Sequence, residues 1–565
     1  MEDAKASQGG NRAAKERRRK SAQRAGRPET HVIQFKNFSD DFRRYPALAA
    51  SYTSAREAAR MKRIILWLAA AGAVFIVAIA PPGFSQDAAV SRVIQIDAGG
   101  PTHSLPHFWE KMFGSERAIA TLRESWRNDL RAVKKISGFE YVRFHAIFHD
   151  EMGVYSEDAA GKPVFNFSYV DQVYDGLLEN GTRPYVELSF MPKQLSSNAL
   201  AVHAFFYKQN VAPPKNYAKW DELMAAFSRH LIERYGIDEV SQWYFEVWNE
   251  PNIDFWAGEP KEATYYELYD HTARALKGVN TRLRVGGPST AQAAWVDRFI
   301  AHCVEKNVPV DFVSTHVYGN DRAQDVFGTE EKIPRTEMVG RAVRKVFDQV
   351  KASARPDLPI FWSEYNASYF NEPDVTDSAF MGPWLANTIR QCDGMADIMS
   401  YWDLSDVFEE QGVPKKPFYG GFGLMAEGGV PKASFNDFKI LHLLGERRIG
   451  VDSDSVLATR RGDGTLAIAL WNLYLPEEQG HPRDFALEFK RLGGMKKGLI
   501  YQVDPEHGSP LPAYRAMGSP DYPTLEQYKE LRKAAELGGP REVALTDARL
   551  EISLPAHGLA VVEIK

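Results

Sequence analysis

Residues 243–252 have the sequence WYFEVWNEPN, in which an aromatic and β-branched run stops at two asparagines, a glutamate and a proline. A run of this kind predicts a buried strand, here Trp243–Trp248, with the polar residues at its carboxyl end. In a β/α-barrel the active site is built at that end of the strands. The segment therefore predicts a barrel strand with Asn249 and Glu250 at a functional rim.

Similar short runs recur on both sides of this segment, separated by helical patterns such as Trp295–Asn307, Arg341–Ala352 and Ser434–Leu444. The predicted strands are Trp109–Gly114, Tyr141–His145, Arg183–Phe190, Trp243–Trp248, Arg284–Gly286, Phe312–His316, Pro359–Ser363 and Met399–Trp402. Eight strand–helix units predict an α/β protein with a (β/α)8 TIM barrel, which we place at residues 109–445. A doubly wound sheet would also alternate, but no glycine-rich phosphate loop follows the first strand.

The pattern changes after about residue 446. Alternating hydrophobic runs there predict an accessory antiparallel β-sandwich over residues 446–565, with strands at Val456–Thr459, Thr465–Trp471, Phe485–Phe489, Leu499–Val503, Glu542–Leu545 and Leu550–Leu554. Residues 512–538 interrupt these strands with a helical stretch at Leu525–Leu537. The run Val90–Asp97, within residues 86–108, is expected to add a strand to the sandwich.

The amino-terminal region has the pattern of a targeting segment. Met61-Lys62-Arg63 precede an apolar run, Ile64–Ala80, which small residues follow up to Ser85. This order predicts a secretory signal peptide at residues 61–85, and hence an exported protein, periplasmic or extracellular. The 17-residue run is at the lower limit for crossing a bilayer, so a retained signal anchor is the alternative. Residues 1–60 are predicted to be a disordered basic extension, with the true start at Met61.

Composition excludes several classes of protein. A length of 565 residues favours a catalytic domain with a companion, and a net charge of −5 gives no reason to expect nucleic acid. The two cysteines, Cys303 and Cys392, are expected to be buried free thiols. His145 and His149 are four residues apart, but on a strand end, so we predict no metal site there and no cofactor.

Two glutamates follow predicted strands on opposite sides of the barrel. Glu250 follows the fourth strand and Glu364 the seventh. Cleavage of a glycosidic bond requires two such carboxyl groups, one protonated to donate to the leaving oxygen and one ionised. Polar neighbours such as Arg143, His316 and Tyr318 are expected to hold their pKa values apart. An arbitrary glutamate usually caps a helix or faces solvent, but these two positions favour catalysis.

The segment FEVWNEPN (245–252) resembles the acid/base signature of glycoside hydrolase family 39, whose best-known members are β-xylosidases and α-L-iduronidases. The resemblance covers about residues 95–565, and its other segments are FGSERA (113–118), FEYVRFHAIFHDEMGVY (139–155), ELSFMP (187–192), DFVSTHVYG (311–319), PIFWSEYNAS (359–368), YWDLSDVFEE (401–410) and GGFGL (420–424). The NEP triplet alone would indicate only the wider clan of such barrels. The set together is specific.

The resemblance implies a retaining mechanism, with Glu250 as acid/base and Glu364 as nucleophile. It implies that Asn249 binds the hydroxyl next to the anomeric carbon, and that His145 and His316 contact sugar hydroxyls. It further implies that Arg143 and Tyr318 orient Glu364 and that Trp402 is a stacking platform beneath the sugar. Glu409 or Glu410 is expected to bind the sugar hydroxyls farthest from the scissile bond.

Three residues depart from the family pattern, since Ala146, Asp403 and Tyr419 stand where glycine, threonine and histidine are usual. They bear on the substrate rather than on the reaction type. The expected activity is that of an exo-β-1,4-xylosidase acting on xylo-oligosaccharides. The alternatives are an α-L-iduronidase, an arabinopyranosidase or an exopolysaccharide hydrolase and, in a different class, a non-catalytic carbohydrate-binding barrel. Iduronate would need a cationic clamp for its carboxylate. The oligomeric state stays open.

Overall fold

The computed structural model describes residues 93–565. The predicted basic extension at residues 1–60, the predicted signal segment at 61–85 and residues 86–92 lie outside the described residues. Among residues 93–565, no helix combines the length and the apolar character that a membrane crossing requires.

Eight parallel strands close into a barrel. The strands are Met112–Arg117, Tyr141–His145, Arg183–Leu188, Tyr244–Val247, Arg284–Thr290, Phe312–Tyr318, Ile360–Asn366 and Ile398–Tyr401. All eight predicted strands are present, and the predicted (β/α)8 fold is confirmed. The ends differ by up to four residues: the first strand begins at Met112 rather than at Trp109, and the fifth ends at Thr290 rather than at Gly286.

Helices on the outside return the chain from each strand to the next. The main ones are Glu124–Ile136, Ser168–Glu179, Tyr217–Tyr235, Lys261–Val279, Val296–Glu305, Arg335–Ala352, Met381–Cys392 and Ala433–Leu441. Short helices occur at Ile237–Val240 and Ala323–Phe327. Cys303 and Cys392 lie on two of the main helices as buried free thiols.

Alternate residues of the strands fill the barrel in layers. Along the second strand, Tyr141, Arg143 and His145 occupy successive layers, because side chains on a strand repeat with a period of two. The lowest layer is a cluster of Met112, Tyr141, Tyr185, Phe312, Phe361 and Ile398, against which Tyr244 packs. This apolar layer fills the amino-terminal end of the barrel, so the polar layers above it open only at the carboxyl ends of the strands.

Two sheets form the accessory sandwich. The larger sheet has the order Thr102–Ser104, Arg447–Ile449, Val456–Arg460, Leu466–Trp471, Leu559–Ile564, Lys497–Val503, Arg541–Ala544, and the smaller has the order Val93–Asp97, Arg483–Lys490, Arg549–Leu554. The helices Leu511–Ala516 and Leu525–Ala534 lie within the predicted insertion. The expected additional strand is confirmed, since Val93–Asp97 pairs with Arg483–Lys490, although it does so in parallel within an otherwise antiparallel sandwich. No hairpin joins these two strands, so nothing forces the antiparallel direction.

The strand Leu559–Ile564 is central to the larger sheet and is buried throughout. Its Leu559 and Val561 belong to the core of the barrel, whereas Ala560 and Val562 belong to the core of the sandwich. A strand buried on both faces has a continuous apolar sequence instead of an alternating one. This strand was not among those predicted, although the equally buried neighbour Leu466–Trp471 was.

A buried ion cluster fixes the long loop that follows the eighth barrel strand. The Lys432 ammonium lies 2.6 Å from carboxylate oxygens of both Asp377 and Asp406, and all three side chains are fully buried. The backbone N–H of Gly423 donates to Asp406 at 2.7 Å, which ties the loop directly to the cluster. A buried charge is tolerated only when it is paired in this way. The cluster thereby holds residues 403–424 over the barrel mouth.

Candidate active site

The carboxyl ends of the barrel strands surround a cavity of about 350 Å³. Its walls are formed by His145, His203, Phe205, Asn249, Glu250, Ile253, Asp254, Phe255, Ala291, Gln292, Tyr318, Asp321, Glu364, Tyr369, Trp402, Glu410, Gln411 and Phe422. Of the residues predicted from sequence, this wall contains His145, Asn249, Glu250, Tyr318, Glu364, Trp402 and Glu410. The other three, Arg143, His316 and Glu409, lie behind it.

Glu250 and Glu364 face each other across this cavity. One carboxylate oxygen of each lies within 4.8 Å of the other and of a nitrogen of His316. Both side chains are almost fully buried, yet both reach the cavity. The arrangement therefore offers a small bound molecule two carboxyl groups, one on either side.

Arg143 lies beneath Glu364 at the centre of the polar layer. Its guanidinium is fully buried and makes ion pairs with three carboxylates, at 2.7 Å to Glu187, 2.6 Å to Glu246 and 2.7 Å to Glu364. It also donates to Asn249 Oδ1 at 2.9 Å. One planar donor group thus sets the positions of side chains from three further strands and of the amide that lines the cavity.

The electrostatics of Glu364 reflect two opposing effects. Burial raises the pKa of this carboxyl group, while the charge of Arg143, His145 and a hydrogen bond from the Tyr318 hydroxyl oppose the rise. The Tyr318 hydroxyl donates to Glu364 Oε2 at 2.7 Å, and Arg143 donates to Oε1. Both oxygens therefore have donors that favour the ionised form.

Glu250 has no comparable cation. Burial raises its pKa well above the usual range for a glutamate, and the negative charges of Glu364, Asp321 and Asp254 raise it further, against the lowering effect of Arg143. Of the two carboxyl groups, Glu250 is thus the one that keeps a proton near neutral pH. This asymmetry is what a general acid beside an ionised carboxylate requires.

The backbone at Glu250 explains why it faces the cavity. Trp248 and Glu250 both have left-handed φ values, 72° and 45°, and the strand ends at Val247. Strand alternation therefore does not continue through this segment. Trp248 packs into the core and donates from its indole to the carbonyl of Phe255, while Glu250 reaches the cavity. Strained backbone of this kind is concentrated at functional sites.

His316 is placed differently from what the family resemblance implied. It is fully buried and is absent from the cavity wall, so it does not reach a sugar hydroxyl in this conformation. Its Nδ1 lies 3.0 Å from Glu250 Oε1 instead. His316 lies two residues before Tyr318 on the sixth strand, so its ring occupies the layer below the one that lines the cavity. Burial and the charge of Arg143 hold the pKa of His316 well below its usual range, so the ring is neutral.

One ring nitrogen of His145 is bound by a neighbouring side chain, and the other faces the cavity. Its Nδ1 lies 2.7 Å from Glu187 Oε2, which fixes the ring. The opposite nitrogen, Nε2, is 3.9 Å from Glu364 and 3.7 Å from Glu410. The ring also lies beside Trp402, with the centroids 4.8 Å apart. His145 is thus positioned to present Nε2 to a ligand between the two carboxyl groups.

The structure separates the roles of Glu409 and Glu410. Glu409 makes ion pairs with Arg117 at 3.0 Å and Arg123 at 2.6 Å and is absent from the cavity wall. Glu410 lines the cavity, and burial together with the charges of Glu116 and Glu364 raises its pKa well above the usual range. Of the two candidates for sugar contact, only Glu410 is therefore in reach of a ligand.

Trp402 forms one wall of the cavity and depends on the absence of a side chain at position 114. A Cβ atom added at Gly114 would collide with the six-membered ring of Trp402. The Arg143 guanidinium makes a cation–π contact with the same indole, 5.9 Å from the ring centroid. The ring is thus held between the first barrel strand and the cavity, in the position expected of a stacking surface.

The three departures from the family pattern lie outside the cavity wall. Ala146 has a φ of 70°, the left-handed region in which glycine has no steric penalty, and this accounts for the usual glycine there. Asp403 and Tyr419 lie in the loop over the barrel mouth, and burial raises the pKa of each well above its usual range. None of the three touches the space that a ligand would fill.

Four residues of the site have roles that the sequence analysis did not assign. Glu187 and Glu246 support Arg143 from below, and Asp254 and Asp321 line the wall beside Glu250. The signal for the first two was a charged residue inside an otherwise apolar strand, as in YVEL and YFEV. The two aspartates lie in loops, where no sequence period predicts orientation.

The chemistry of the site fits an acid/base pair better than a metal centre. The oxygens of Glu250 and Glu364 and a nitrogen of His316 have a spacing that a cation could bridge. However, Glu364 already accepts from Arg143 and Tyr318 on its two oxygens, and the buried guanidinium would repel a second cation. A second group of this spacing, His107, Glu110 and His442, lies away from the cavity and is joined by hydrogen bonds.

A closed β/α-barrel with two facing carboxyl groups at its mouth defines a glycosidase-type site. The family model for "Glycosyl hydrolases family 39" matches residues 92–544. The chain therefore belongs to glycosyl hydrolase family 39, and it is a glycosidase.

Relatives of known name agree with this assignment. The chain is 35% identical to a protein named Beta-xylosidase from Geobacillus stearothermophilus, over 84% of this chain and 95% of that one. It is 36% identical to a Beta-xylosidase from Caldicellulosiruptor saccharolyticus, over 84% of this chain and 98% of that one. Among solved structures, a monomeric β-xylosidase from Caulobacter crescentus CB15 is 34% identical, with a TM-score of 0.77 over 84% of this chain and 99% of that one.

We expect Tyr318→Phe to move the acidic limb of the pH profile. The Tyr318 hydroxyl bond lowers the pKa of Glu364, so its loss raises that pKa, and the ionised form is then lost at a higher pH on acidification. The limb should shift upwards by about 1–2 pH units, the equivalent of one hydrogen bond to a charged group. The measurement is kcat/KM for glycoside hydrolysis against pH.

The matched control for this variant is Tyr141→Phe. The Tyr141 hydroxyl donates to the carbonyl of Gln242 at 3.0 Å, in the layer at the opposite end of the barrel. Its removal should leave the acidic limb where it is. An unmoved limb in Tyr318→Phe would show that this hydroxyl does not support the ionised form of Glu364.

Proposed function

We propose that this protein is a retaining exo-β-1,4-xylosidase that releases xylose from xylo-oligosaccharides. The observation that carries the proposal is the pairing of Glu250 and Glu364 with oxygens within 4.8 Å. Retaining glycosidases hold their carboxyl groups about 5–5.5 Å apart, whereas inverting ones need about 6.5–9.5 Å to admit a water. The short separation supports retention.

In the first step, Glu364 Oε attacks the anomeric carbon and the bond to the leaving oxygen breaks. Glu250 donates its proton to that oxygen, so the departing group leaves as a neutral alcohol. Glu364 suits the role of nucleophile because Arg143 and Tyr318 favour its ionised form. Glu250 suits the role of acid because its surroundings raise its pKa.

In the second step, Glu250 acts as a base. It removes a proton from water, the water oxygen attacks the anomeric carbon, and the bond to Glu364 breaks. The sugar is released with the configuration that it had at the start. Each carboxyl group ends the cycle in its original protonation state.

The wall residues suit contacts with a single sugar ring. We assign the hydroxyl next to the anomeric carbon to Asn249, whose Oδ1 accepts from Arg143, which leaves its N–H groups for the ligand. His145 Nε2 and Glu410 are assigned to the more distant hydroxyls, and Trp402 to the face of the ring. These contacts add up to one enclosed sugar site, which supports exo action.

The choice of β-xylose rests on the relatives named above and on the charge of the wall. Among the described residues that line the cavity there is no lysine or arginine, while Asp254, whose pKa is lowered by His203, and Glu364, the proposed nucleophile, contribute carboxylates. An iduronate carboxylate would have no cationic partner there and would meet like charge. The wall therefore favours a neutral sugar over the iduronidase alternative.

A panel of nitrophenyl glycosides tests this choice of sugar. We expect the highest kcat/KM on the β-D-xyloside, lower values on the β-D-glucoside and α-L-arabinopyranoside, and a value at least ~100-fold lower on an α-L-iduronide, because like charge at close range costs several kcal/mol. A preference for the iduronide would contradict the proposed substrate. Hydrolysis of none of them would contradict catalysis and favour a binding protein.

Replacement of Glu364 and replacement of Glu250 should impair catalysis in different ways. Glu364→Ala removes the attacking group, so kcat should fall on the order of 10⁴-fold or more on every substrate. Glu250→Ala removes proton donation, which a nitrophenolate hardly needs and the alkoxide of xylobiose does. Azide attacks the glycosyl-enzyme without a base, so it should restore turnover of Glu250→Ala on nitrophenyl xyloside and give a β-glycosyl azide.

Glu409→Ala is the control for both variants, because Glu409 is an acidic neighbour that lies behind the wall. It should not show leaving-group dependence or azide rescue. Equal losses of Glu250→Ala on nitrophenyl xyloside and xylobiose, with no effect of azide, would assign the acid/base role to another residue.

We also propose that the protein is exported. The support is the order of basic, apolar and small residues at 61–85, which is that of a secretory signal. We expect the mature protein to begin near residue 86 and to lie in the periplasm or outside the cell. Amino-terminal sequencing after expression in a bacterial host tests this. A chain that retains residues 64–80 and sediments with membranes would favour the signal anchor.

A further inference from the structure

A chain of hydrogen bonds runs behind the cavity wall from Glu246 to Glu250. Ser363 Oγ lies 2.6 Å from Glu246 Oε1, His316 Nε2 lies 3.1 Å from Ser363 Oγ, and His316 Nδ1 lies 3.0 Å from Glu250 Oε1. Ser363, His316 and Glu246 are all fully buried. No water or ligand is needed to complete these contacts, so their direction can be worked out from the donors alone.

The direction is set at Glu246. This carboxylate is paired with Arg143 at 2.6 Å and, when ionised, can only accept. The single hydroxyl hydrogen of Ser363 must therefore point to Glu246 Oε1. Ser363 Oγ then has only lone pairs to offer to His316, so His316 Nε2 carries the hydrogen. In a neutral imidazole the other nitrogen, Nδ1, is then a lone-pair acceptor.

An acceptor nitrogen at 3.0 Å from a carboxyl oxygen requires a hydrogen between them. That hydrogen can come only from Glu250, because Nδ1 has none. We propose that Ser363 and Glu246 are positioning residues that fix the Nε2–H tautomer of His316, and that His316 thereby holds the catalytic proton on Glu250. This inference rests on the proposed role of Glu250 as acid and adds the device that keeps it protonated.

Most of the charged groups around these hydrogen bonds favour a protonated Glu250 and a neutral His316. Glu250 faces Glu364 of the seventh strand, Asp321 of the loop after the sixth strand and Asp254 of the loop after the fourth, all of which oppose a negative charge on it. Arg143 of the second strand acts against them. Burial, Arg143 and His145 oppose a positive charge on the ring of His316, whereas Glu364 Oε1, 3.7 Å from Nδ1, favours one. The ring is thus kept neutral while Glu250 is kept protonated.

The fixed tautomer has consequences through the catalytic cycle. After Glu250 gives its proton to the leaving oxygen, its carboxylate faces the lone pair of Nδ1, which disfavours the ionised state. The carboxylate is therefore a stronger base towards the incoming water. The proton removed from water returns to Glu250 and not to His316, whose ring resists protonation. One residue behind the wall thus assists both steps without touching the substrate.

Ser363→Ala tests the proposal through the alkaline limb of the pH profile. Without the Ser363 oxygen, Nε2–H loses its acceptor, and Ser289 Oγ, 3.4 Å from Nε2, can donate to it instead. His316 can then carry its hydrogen on Nδ1 and donate to the Glu250 carboxylate, which lowers the pKa of Glu250. We expect the alkaline limb of kcat/KM on phenyl β-D-xyloside to move downwards by about one pH unit, equivalent to about 1.4 kcal/mol.

Ser314→Ala is the matched control, since it deletes a buried hydroxyl from the neighbouring sixth strand, one layer below His316. Its alkaline limb should stay in place. In Ser363→Ala the acidic limb, which reports Glu364, should also stay in place. An alkaline limb that is unmoved or moves upwards in Ser363→Ala would overturn the proposal, because a merely structural role would lower the rate without moving this limb.

Glu246→Gln provides a second variant that keeps the size of the side chain. Arg143 Nε requires an acceptor, so the amide oxygen should face Arg143 and the amide N–H₂ should face Ser363. The Ser363 hydroxyl would then turn to donate to Nε2, so the direction of every hydrogen bond from Glu246 to Glu250 is reversed. His316 Nδ1 then donates to Glu250, and the alkaline limb should again move downwards. An unchanged alkaline limb in this variant would contradict the direction that we assign to the chain.

A readout that needs no activity separates this inference from the proposed function. In ¹⁵N-histidine-labelled protein, the His316 signals can be assigned by their loss in His316→Gln. We expect a neutral ring with hydrogen on Nε2 in the wild type and on Nδ1 in Ser363→Ala. Hydrogen on Nδ1 in the wild type would overturn the proposal whether or not the protein hydrolyses xylosides.

Discussion

The site depends on one buried guanidinium. Arg143 is fully enclosed and meets carboxylates of Glu187, Glu246 and Glu364 from three other strands. Removal of any one partner would leave unbalanced charge in a region of low dielectric, which costs several kcal/mol. The same group favours an ionised Glu364 and places the Asn249 amide. The placement of these site side chains and the electrostatics of the proposed nucleophile therefore both depend on Arg143.

The layered interior of the barrel makes this arrangement possible. An apolar layer around Tyr185 and Phe361 excludes water from below, and the loop held by Lys432 covers the site from above. Between them, the polar layer is hydrogen-bonded within itself and has little contact with solvent. The low dielectric strengthens each charge interaction there, and it separates the pKa values of two carboxyl groups that lie within 4.8 Å.

Much of this organisation could be predicted from the sequence, and the exceptions have physical reasons. The alternation of strand-like runs with helical patterns located the barrel, and the ends of those runs located Arg143, Glu250 and Glu364. The backbone that turns Glu250 into the cavity could not be predicted, because left-handed φ values at Trp248 and Glu250 end the strand there. The position of His316 behind Glu250 could not be predicted either, because it depends on contacts with side chains of other strands. The choice between Glu409 and Glu410 depended on Arg117 and Arg123, which are distant in sequence.

In the proposed mechanism Glu364, held ionised by Arg143, forms a covalent bond to the sugar. A 2-deoxy-2-fluoro-β-xylosyl fluoride tests it directly, because the fluorine destabilises the cationic transition state of both steps while the fluoride leaves readily, so the intermediate accumulates. The inactivated protein is digested and its peptides are identified by mass spectrometry. We predict one added fluoroxylosyl group on the peptide that contains Glu364. A label on any other residue, or hydrolysis with inversion and no adduct, would contradict the account.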